Sequence, residues 1–134
     1  MAVVAVTSFD NPEVMQVPQG GGQTLFFCSG VALVNYTSNG DVWQRDDLVF
    51  TVPSEQPGIG NPPPLPIPNF ADSVVTVVPA TVRTKDADDR AGWGIDNADS
   101  ILDGNGNIQV TARLAVKGEG AAELRVAYHA VILG

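Results

Sequence analysis

The segments IQVTARLAVK (residues 108–117) and AELRVAYHAVIL (residues 122–133) decide the fold class. In both segments apolar residues occupy every even-numbered position, and most polar residues occupy odd-numbered positions. Because successive side chains of a strand point to opposite faces, this period of two predicts two β-strands, each with one buried face. We expect the two strands to pair as an antiparallel hairpin joined by residues 118–120.

The charges on the outward faces of these segments suggest a register for that hairpin. One register sets Lys117 opposite Glu123, and another sets Arg113 opposite Arg125. Opposite charges across a strand pair are favourable and like charges are not, so the first register is preferred. A three-residue loop with a bulge is the competing outcome.

A second hairpin is expected in the first half of the chain. Residues 24–36 form a long apolar run that contains Ser29 and Gly30, where we expect a bulge or a bend. Residues 37–41 include Asn-Gly, a strong tight-turn signal. Residues 42–52 are then predicted to return as the partner strand.

The remaining strand signals complete an all-β pattern. Residues 2–7 and residues 14–17 are predicted as short strands, and the three glycines at 20–22 as a flexible hinge. Residues 73–84 form another strand, in which Pro79 indicates a sheet edge or a bulge. We therefore predict a single domain over residues 1–134, an antiparallel β-sandwich of the jelly-roll or immunoglobulin-like kind.

Composition excludes several classes of partner. The 134 residues include 7 basic and 15 acidic ones, for a net charge of −8, and the basic residues are scattered. Nucleic acid and anionic membrane surfaces are therefore not expected as partners. No stretch approaches the ~18 apolar residues of a membrane span, so membrane insertion is not expected. Residues 1–7 lack the features of a signal peptide. We expect synthesis in the cytosol, with a virion or an extracellular assembly left open as the destination.

The proline-rich segment, residues 53–69, is the most unusual part of the sequence. Seven prolines lie within residues 53–68, and a central strand cannot accommodate them because proline donates no backbone hydrogen bond. The segment is predicted to be extended, either as an ordinary loop over its own domain or as an arm on a neighbouring subunit. The residues predicted to form an arm interface are Ile59, Pro63, Leu65, Ile67 and Phe70.

Residues that could support catalysis are scarce. Cys28, the one cysteine, lies in an apolar run and is expected to be a buried hydrophobic residue. His129, the one histidine, is expected on the surface, with Thr111, Arg113 and Ala127 as neighbours that offer no nucleophile pattern. No enzymatic activity is therefore predicted.

A turn rich in aspartate and asparagine is the one metal candidate, and no other cofactor is expected. Asp99, Asp103, Asn105 and Asn107 carry the oxygen ligands that calcium prefers. However, the EF-hand pattern requires glycine at the sixth position of the loop, and Ile108 occupies it. An ordinary solvated turn is preferred, with calcium as the alternative.

Two functions remain in contention. The preferred one is a structural subunit that assembles with other copies of itself, such as a component of a virus particle or a surface filament. The alternative is a module that binds carbohydrate or another surface ligand. It would use Trp43 or Trp93, because exposed aromatic rings stack on flat ligands, unless one or both of these side chains fill the interior of the domain.

Overall fold

The protein was analysed as a computed structural model, which describes residues 3–36, 39–52, 67, 69–84, 91–104, 108–119 and 121–134. These residues form eight strands and no helix. The strands are β1 (Val3–Ala5), β2 (Ser8–Gly20), β3 (Gln23–Asn35), β4 (Asn39–Val52), β5 (Asp72–Thr84), β6 (Ala91–Leu102), β7 (Ile108–Glu119) and β8 (Ala121–Leu133).

The strands form two four-stranded sheets. Sheet A has the order β1-β4-β7-β6, and sheet B has the order β2-β3-β8-β5. The short β1 pairs with β4 in parallel, and every other recorded pair is antiparallel. The prediction of an all-β fold built from antiparallel strands is therefore confirmed. In the described segments, no helix has the length and apolar character needed to cross a membrane.

Side chains from both sheets contribute to one hydrophobic core. The even-numbered residues of β7 and β8 that define the opening pattern are fully buried or nearly so from Ile108 to Val116 and from Leu124 to Ile132. At the centre, the rings of Phe9, Phe50 and Tyr128 pack at centroid distances of 5.0 to 5.9 Å. Because Phe50 belongs to sheet A and the other two rings to sheet B, this cluster joins the two sheets.

The prediction that β7 and β8 form a hairpin is wrong. β7 is a central strand of sheet A between β4 and β6, whereas β8 is a central strand of sheet B between β3 and β5. Lys117 therefore lies opposite Gly92 and not opposite Glu123, which pairs with Asn35 instead. Alternation identifies which face of a strand is buried, but it does not identify the strand that pairs with it.

The hairpin predicted between residues 24–36 and 42–52 is wrong for the same reason. β3 lies in sheet B and β4 in sheet A, so residues between them carry the chain from one sheet to the other. Both strands have an apolar face, and both contribute buried residues to the same hydrophobic core. The tight turn predicted at Asn-Gly is also wrong, because Asn39 and Gly40 are the first residues of β4 and pair with Glu119 and Gly118 of β7.

A hairpin is found instead at the glycines predicted to form a hinge. β2 pairs with β3 from Ser8 to Gly20, with Gly21 and Gly22 as the connecting residues. Gly20, Gly21 and Gly22 all have positive φ, a conformation that glycine adopts without a steric penalty. The prolines at 12 and 18 lie within β2, which is tolerated because this strand is an edge of sheet B.

Gly30 lies against the Tyr128 side chain and causes no register shift between β3 and β8. The β3–β8 register continues through Gly30 without a shift, and a Cβ at Gly30 would lie 2.6 Å from the Tyr128 hydroxyl oxygen. The bulge lies on the neighbouring strand instead, where the β2–β3 register shifts between Asp10 and Glu13. Because Gly30 has no side chain, the Tyr128 ring can pack directly against the β3 backbone.

Most of the proline-rich segment, including Ile59, Pro63 and Leu65, lies outside the described residues. Ile67 is buried in the core, and Phe70 packs against the core from its margin. The Asn69 side chain also donates a hydrogen bond to the Gly22 carbonyl at 2.8 Å. This end of the segment therefore lies over its own chain. Pro79 is found in edge strand β5 beside a register shift, as predicted.

Candidate functional site

An exposed apolar row crosses the outer face of sheet B. The register sets Met15, Phe27, Val131 and Val74 side by side, one from each strand. They are 58%, 37%, 39% and 64% exposed, respectively. Large apolar side chains that reach solvent singly are common, but four in register across a whole sheet form a continuous patch. We refer to these four residues as the apolar row.

Further apolar residues extend the patch along the strands. Val17, Leu25 and Leu133 form the adjacent row on one side. On the other side lies a polar row that contains Glu13 and His129, and beyond it apolar side chains recur. The residues of this more distant apolar group are Val31, Ala127 and Val78.

Two shallow hollows lie on this face. One, of about 470 Å³, is lined by residues that include Met15 and Phe27. The other, of about 190 Å³, is lined by residues that include Val74, Val131 and Leu133. The patch therefore has a shallow depression at each end of the apolar row. Side chains of a second surface could pack into these depressions.

Cys28 and His129 do not form a catalytic pair. Cys28 is buried, as predicted, and its burial raises the pKa of its thiol to about 12. His129 is exposed, as predicted, but its neighbours across the sheet are Ser29 and Thr76 and not Thr111. Because a thiolate is the nucleophilic form of cysteine, a thiol with so high a pKa is unsuited to attack.

The outer face of sheet A carries two ion pairs among its exposed residues. Arg45 on β4 donates from Nε to Asp96 Oδ2 on β6 at 2.8 Å, across the intervening strand β7. Arg113 on β7 donates from Nε to Asp47 Oδ1 on β4 at 3.2 Å. Two ion pairs thus connect the three strands on the side away from the core.

A pocket of about 230 Å³ opens on this face. Its floor contains Gly94 and Ala115, which are paired in the register and carry little or no side chain. Its walls include Trp43 and the ion pair formed by Arg45 and Asp96. A Cβ built on Gly94 would meet no atom within 4 Å, so the glycine leaves the pocket open.

The two tryptophans predicted as ligand contacts line the same pocket, but in different settings. Trp43 is 46% exposed, and the outer corner of its ring lies 4.0 Å from the Cβ position of Gly92 on β6. The indole therefore reaches across β7 over the outer face. Trp93 pairs with the fully buried Val116 and packs against the core. The exposed ring at the pocket is thus that of Trp43.

A buried polar cluster supports the strand that carries Trp43 and Arg45. The carboxylate of Asp46, which is buried, accepts hydrogen bonds from the Tyr36 hydroxyl at 2.5 Å and from the Gln44 amide at 2.9 Å. Burial raises the pKa of the Tyr36 hydroxyl, and the hydrogen bond and charge of Asp46 raise it further. Because Tyr36 directly follows β3, this contact links the two sheets at the end near the pocket.

The calcium alternative gains no support from the residues that can be described. Asp99 accepts a hydrogen bond from the Ser100 backbone at 2.8 Å, and Asp103 follows β6. Asn105 and Asn107 lie outside the described residues. Within the described residues, no group of three or more His, Cys, Asp or Glu side chains is arranged to hold a metal ion.

No protein family model, curated protein or solved structure matches this chain. The apolar row was missed in the sequence because its members come from four strands whose pairing could not be inferred. One signal was present, however. Val131 and Leu133 are apolar at odd positions of β8, so they break the alternation on the side that faces away from the core.

Proposed function

We propose that this chain is a single-domain β-sandwich, jelly-roll or immunoglobulin-like in kind, that acts as a non-enzymatic structural subunit. It self-associates into an oligomer or a larger particle, such as a component of a virion or a surface filament. The observation that supports this proposal most directly is the apolar row of sheet B. An apolar patch that crosses every strand of a sheet is typical of a surface that another protein covers.

The dimensions of sheet B fit a stable interface. Its four strands have 13 residues each. With strands ~4.8 Å apart and a rise of ~3.3 Å per residue, the sheet presents a face of about 800 Å². Each partner in a standard protein interface buries about the same area, ~800 Å². One face of sheet B is therefore large enough to hold two copies together.

The distribution of charge favours a second copy as the occupant. A chain of net charge −8 repels its own copies over most of its surface, so self-association requires a surface with few charges. The apolar row contains no charged residue, and Asp72 and Glu13 lie in edge strands of the rows beside it. The like charges of two copies are therefore kept away from the centre of this contact.

The sizes of the side chains favour one symmetry. Met15 and Phe27 occupy one half of the apolar row, and the smaller Val131 and Val74 occupy the other half. A two-fold axis that runs parallel to the strands, between β3 and β8, would place the half of the row with large residues opposite the half with small residues of the second copy. The distance between the two sheets would then be the same along the whole row. An axis along the row would set Phe27 against Phe27 and leave a gap between the valines.

The arm interface remains part of the proposal on sequence grounds. Ile59, Pro63 and Leu65 would add contacts to a neighbouring copy, because rigid prolines lower the entropy cost of ordering an apolar segment. Deletion of residues 58–65 tests this part while it leaves the buried Ile67 in place. We expect this deletion to weaken association, as measured by the concentration at which the complex dissociates.

The native mass of the chain tests self-association. We expect light scattering after size exclusion to give at least twice the chain mass of 14.0 kDa. The position of the two-fold axis is tested separately, by cross-linking variants that carry one introduced cysteine with a short bismaleimide reagent. A mixture of Phe27→Cys and Val131→Cys should cross-link between chains more efficiently than either variant alone, and the buried Cys28 should not react.

The outcomes separate the two parts of the proposal. A monomer of 14.0 kDa at all concentrations tested would contradict self-association through this face. A dimer in which Phe27→Cys cross-links mainly to itself would retain self-association but overturn the axis between β3 and β8.

A further inference from the structure

The pocket on the outer face of sheet A has the composition of a sugar-binding site. We infer that Trp43, Arg45 and Asp96 bind one pyranose ring of a neutral carbohydrate over the floor formed by Gly94 and Ala115. This inference does not depend on self-association, because the pocket and the apolar row lie on different sheets.

The indole of Trp43 supplies the apolar part of the site. Its ring reaches across the sheet surface because Gly92 has no side chain to block it, and nearly half of its area is open to solvent. The face of an aromatic ring carries partial negative charge and attracts the polarised C–H groups on one face of a pyranose. An exposed ring of this kind is a platform to which one face of a sugar can bind.

The ion pair beside the ring supplies the polar part of the site. The bond between Arg45 and Asp96 uses Nε of the arginine and Oδ2 of the aspartate. A guanidinium group carries five N–H donors, and a carboxylate has two acceptor oxygens, so both groups retain capacity for neighbouring hydroxyls. Adjacent hydroxyls of a sugar, which donate and accept in turn, match such a pair.

Charge and size narrow the class of ligand. Arg45 and Asp96 offset each other, so the pocket has no excess positive charge with which to attract a phosphate or an acidic sugar. Its volume of about 230 Å³ is below the ~300–1,000 Å³ of pockets that enclose drug-sized molecules. The site therefore fits a single neutral ring, with the rest of a glycan in solvent.

The test is an NMR titration of the full chain with three simple glycosides. Methyl β-D-galactopyranoside, methyl β-D-glucopyranoside and methyl α-D-mannopyranoside are added separately, and the two indole N–H resonances are followed. We expect at least one glycoside to shift the Trp43 signal in a saturable manner, with a smaller effect on the half-buried Trp93.

Two variants connect that shift to the pocket. Trp43→Ala removes the platform, and Gly94→Val adds a branched side chain to the floor, where the added Cβ itself meets nothing within 4 Å. Each variant should weaken binding about tenfold or more. Because Trp43→Ala lacks the Trp43 indole signal, its binding is followed through the backbone resonances of Gly94 and Ala115. Gly104→Val is the matched control, because that glycine is equally open but lies beyond the end of β6.

The inference is overturned if none of the three glycosides produces a saturable shift of the Trp43 signal. It is also overturned if Gly94→Val and Trp43→Ala bind the glycosides as tightly as the unaltered chain does, once their amide spectra have shown that both variants are folded. Loss of binding in both variants with retention in Gly104→Val supports it.

Discussion

The outer faces of the two sheets differ more than their inner faces do. Thr111 and Val131 occupy outward positions on the central strands β7 and β8, and both strands bury a continuous row of apolar residues on the other side. Around Thr111 the neighbours across the sheet are Val49 and Asp99, whereas around Val131 they are Phe27 and Val74. The core requires the inner faces to be alike, so the difference between the outer faces calls for a functional explanation.

That difference suggests a division of roles between the two faces. Sheet B exposes the uncharged apolar row near one end of β8, with the ion pair of Arg125 and Glu123 towards the other end, as expected of a surface partly covered by a second copy. Sheet A carries two exposed ion pairs and one open pocket, as expected of a surface that stays in water. In the proposed assembly, sheet A would face outward and present the pocket of Trp43 to its ligand.

The largest expected effect comes from a charge placed in the apolar row. Val131→Lys should weaken self-association at least ~100-fold, because a two-fold contact buries two unpaired ammonium groups. Sedimentation over a range of concentrations measures the effect. Thr111→Lys, the equivalent change on sheet A, is the matched control and should leave the association constant unchanged. Equal effects from both lysines would show that the two outer faces do not differ in role.

Alkaline pH should destabilise the fold from within sheet B. Burial raises the pKa of Cys28 from 9.0 to about 12, and burial, with a smaller contribution from Cys28, raises the pKa of Tyr128 from 10.0 to about 12. Above pH 9 the unfolded chain loses these protons before the folded chain does, so stability is complete below pH 9 and falls as pH rises towards 12.

Urea unfolding at a series of pH values measures this loss. We expect the free energy of unfolding to fall by on the order of 5 kcal/mol across the interval. Cys28→Val removes one of the buried groups whose pKa is raised and should make the decline shallower. An identical decline in the variant would show that the Cys28 thiol does not contribute.

A smaller loss of stability should follow when the contact between the sheets near the pocket is removed. Tyr36→Phe deletes the hydroxyl that donates to the buried Asp46 carboxylate at 2.5 Å. Loss of one hydrogen bond to a buried charged group should lower the free energy of unfolding by about 1–3 kcal/mol. Phe27→Leu, which alters an exposed residue on the other sheet, is the control in urea unfolding of dilute protein. If Tyr36→Phe lowers the free energy of unfolding by less than Phe27→Leu does, other donors replace the Tyr36 hydroxyl at the Asp46 carboxylate.

The sequence predicted which faces of the strands are buried, but not how the strands pair. The alternation over residues 108–117 and 122–133 correctly identifies the inner faces of β7 and β8. It cannot distinguish two strands of one sheet from two strands that face each other across a core, because both arrangements bury the same residues. The two hairpin predictions based on proximity in the chain are therefore wrong, and the glycines predicted to form a hinge connect β2 to β3 in a hairpin instead.

The candidate sites were predictable to different extents. Trp43 and Trp93 stand out by residue type, and they line one pocket, but Arg45 and Asp96 lie 51 positions apart and meet only because β4 and β6 flank β7. The apolar row requires the register of four strands, each contributing one residue. Properties of single strands can thus be inferred from local patterns, whereas sites built across a sheet depend on its strand order.

The smallest expected effect concerns the exposed ion pair at the pocket. Arg45 and Asp96 are 49% and 43% exposed, so solvent and salt weaken their attraction. Arg45→Met, which keeps the apolar stem, should change the free energy of unfolding by less than ~0.5 kcal/mol in urea. The same variant should bind the glycosides more weakly, since it lacks the donors assigned to the sugar hydroxyls. A large loss of stability with unchanged binding would make the pair structural and remove its assigned part in recognition.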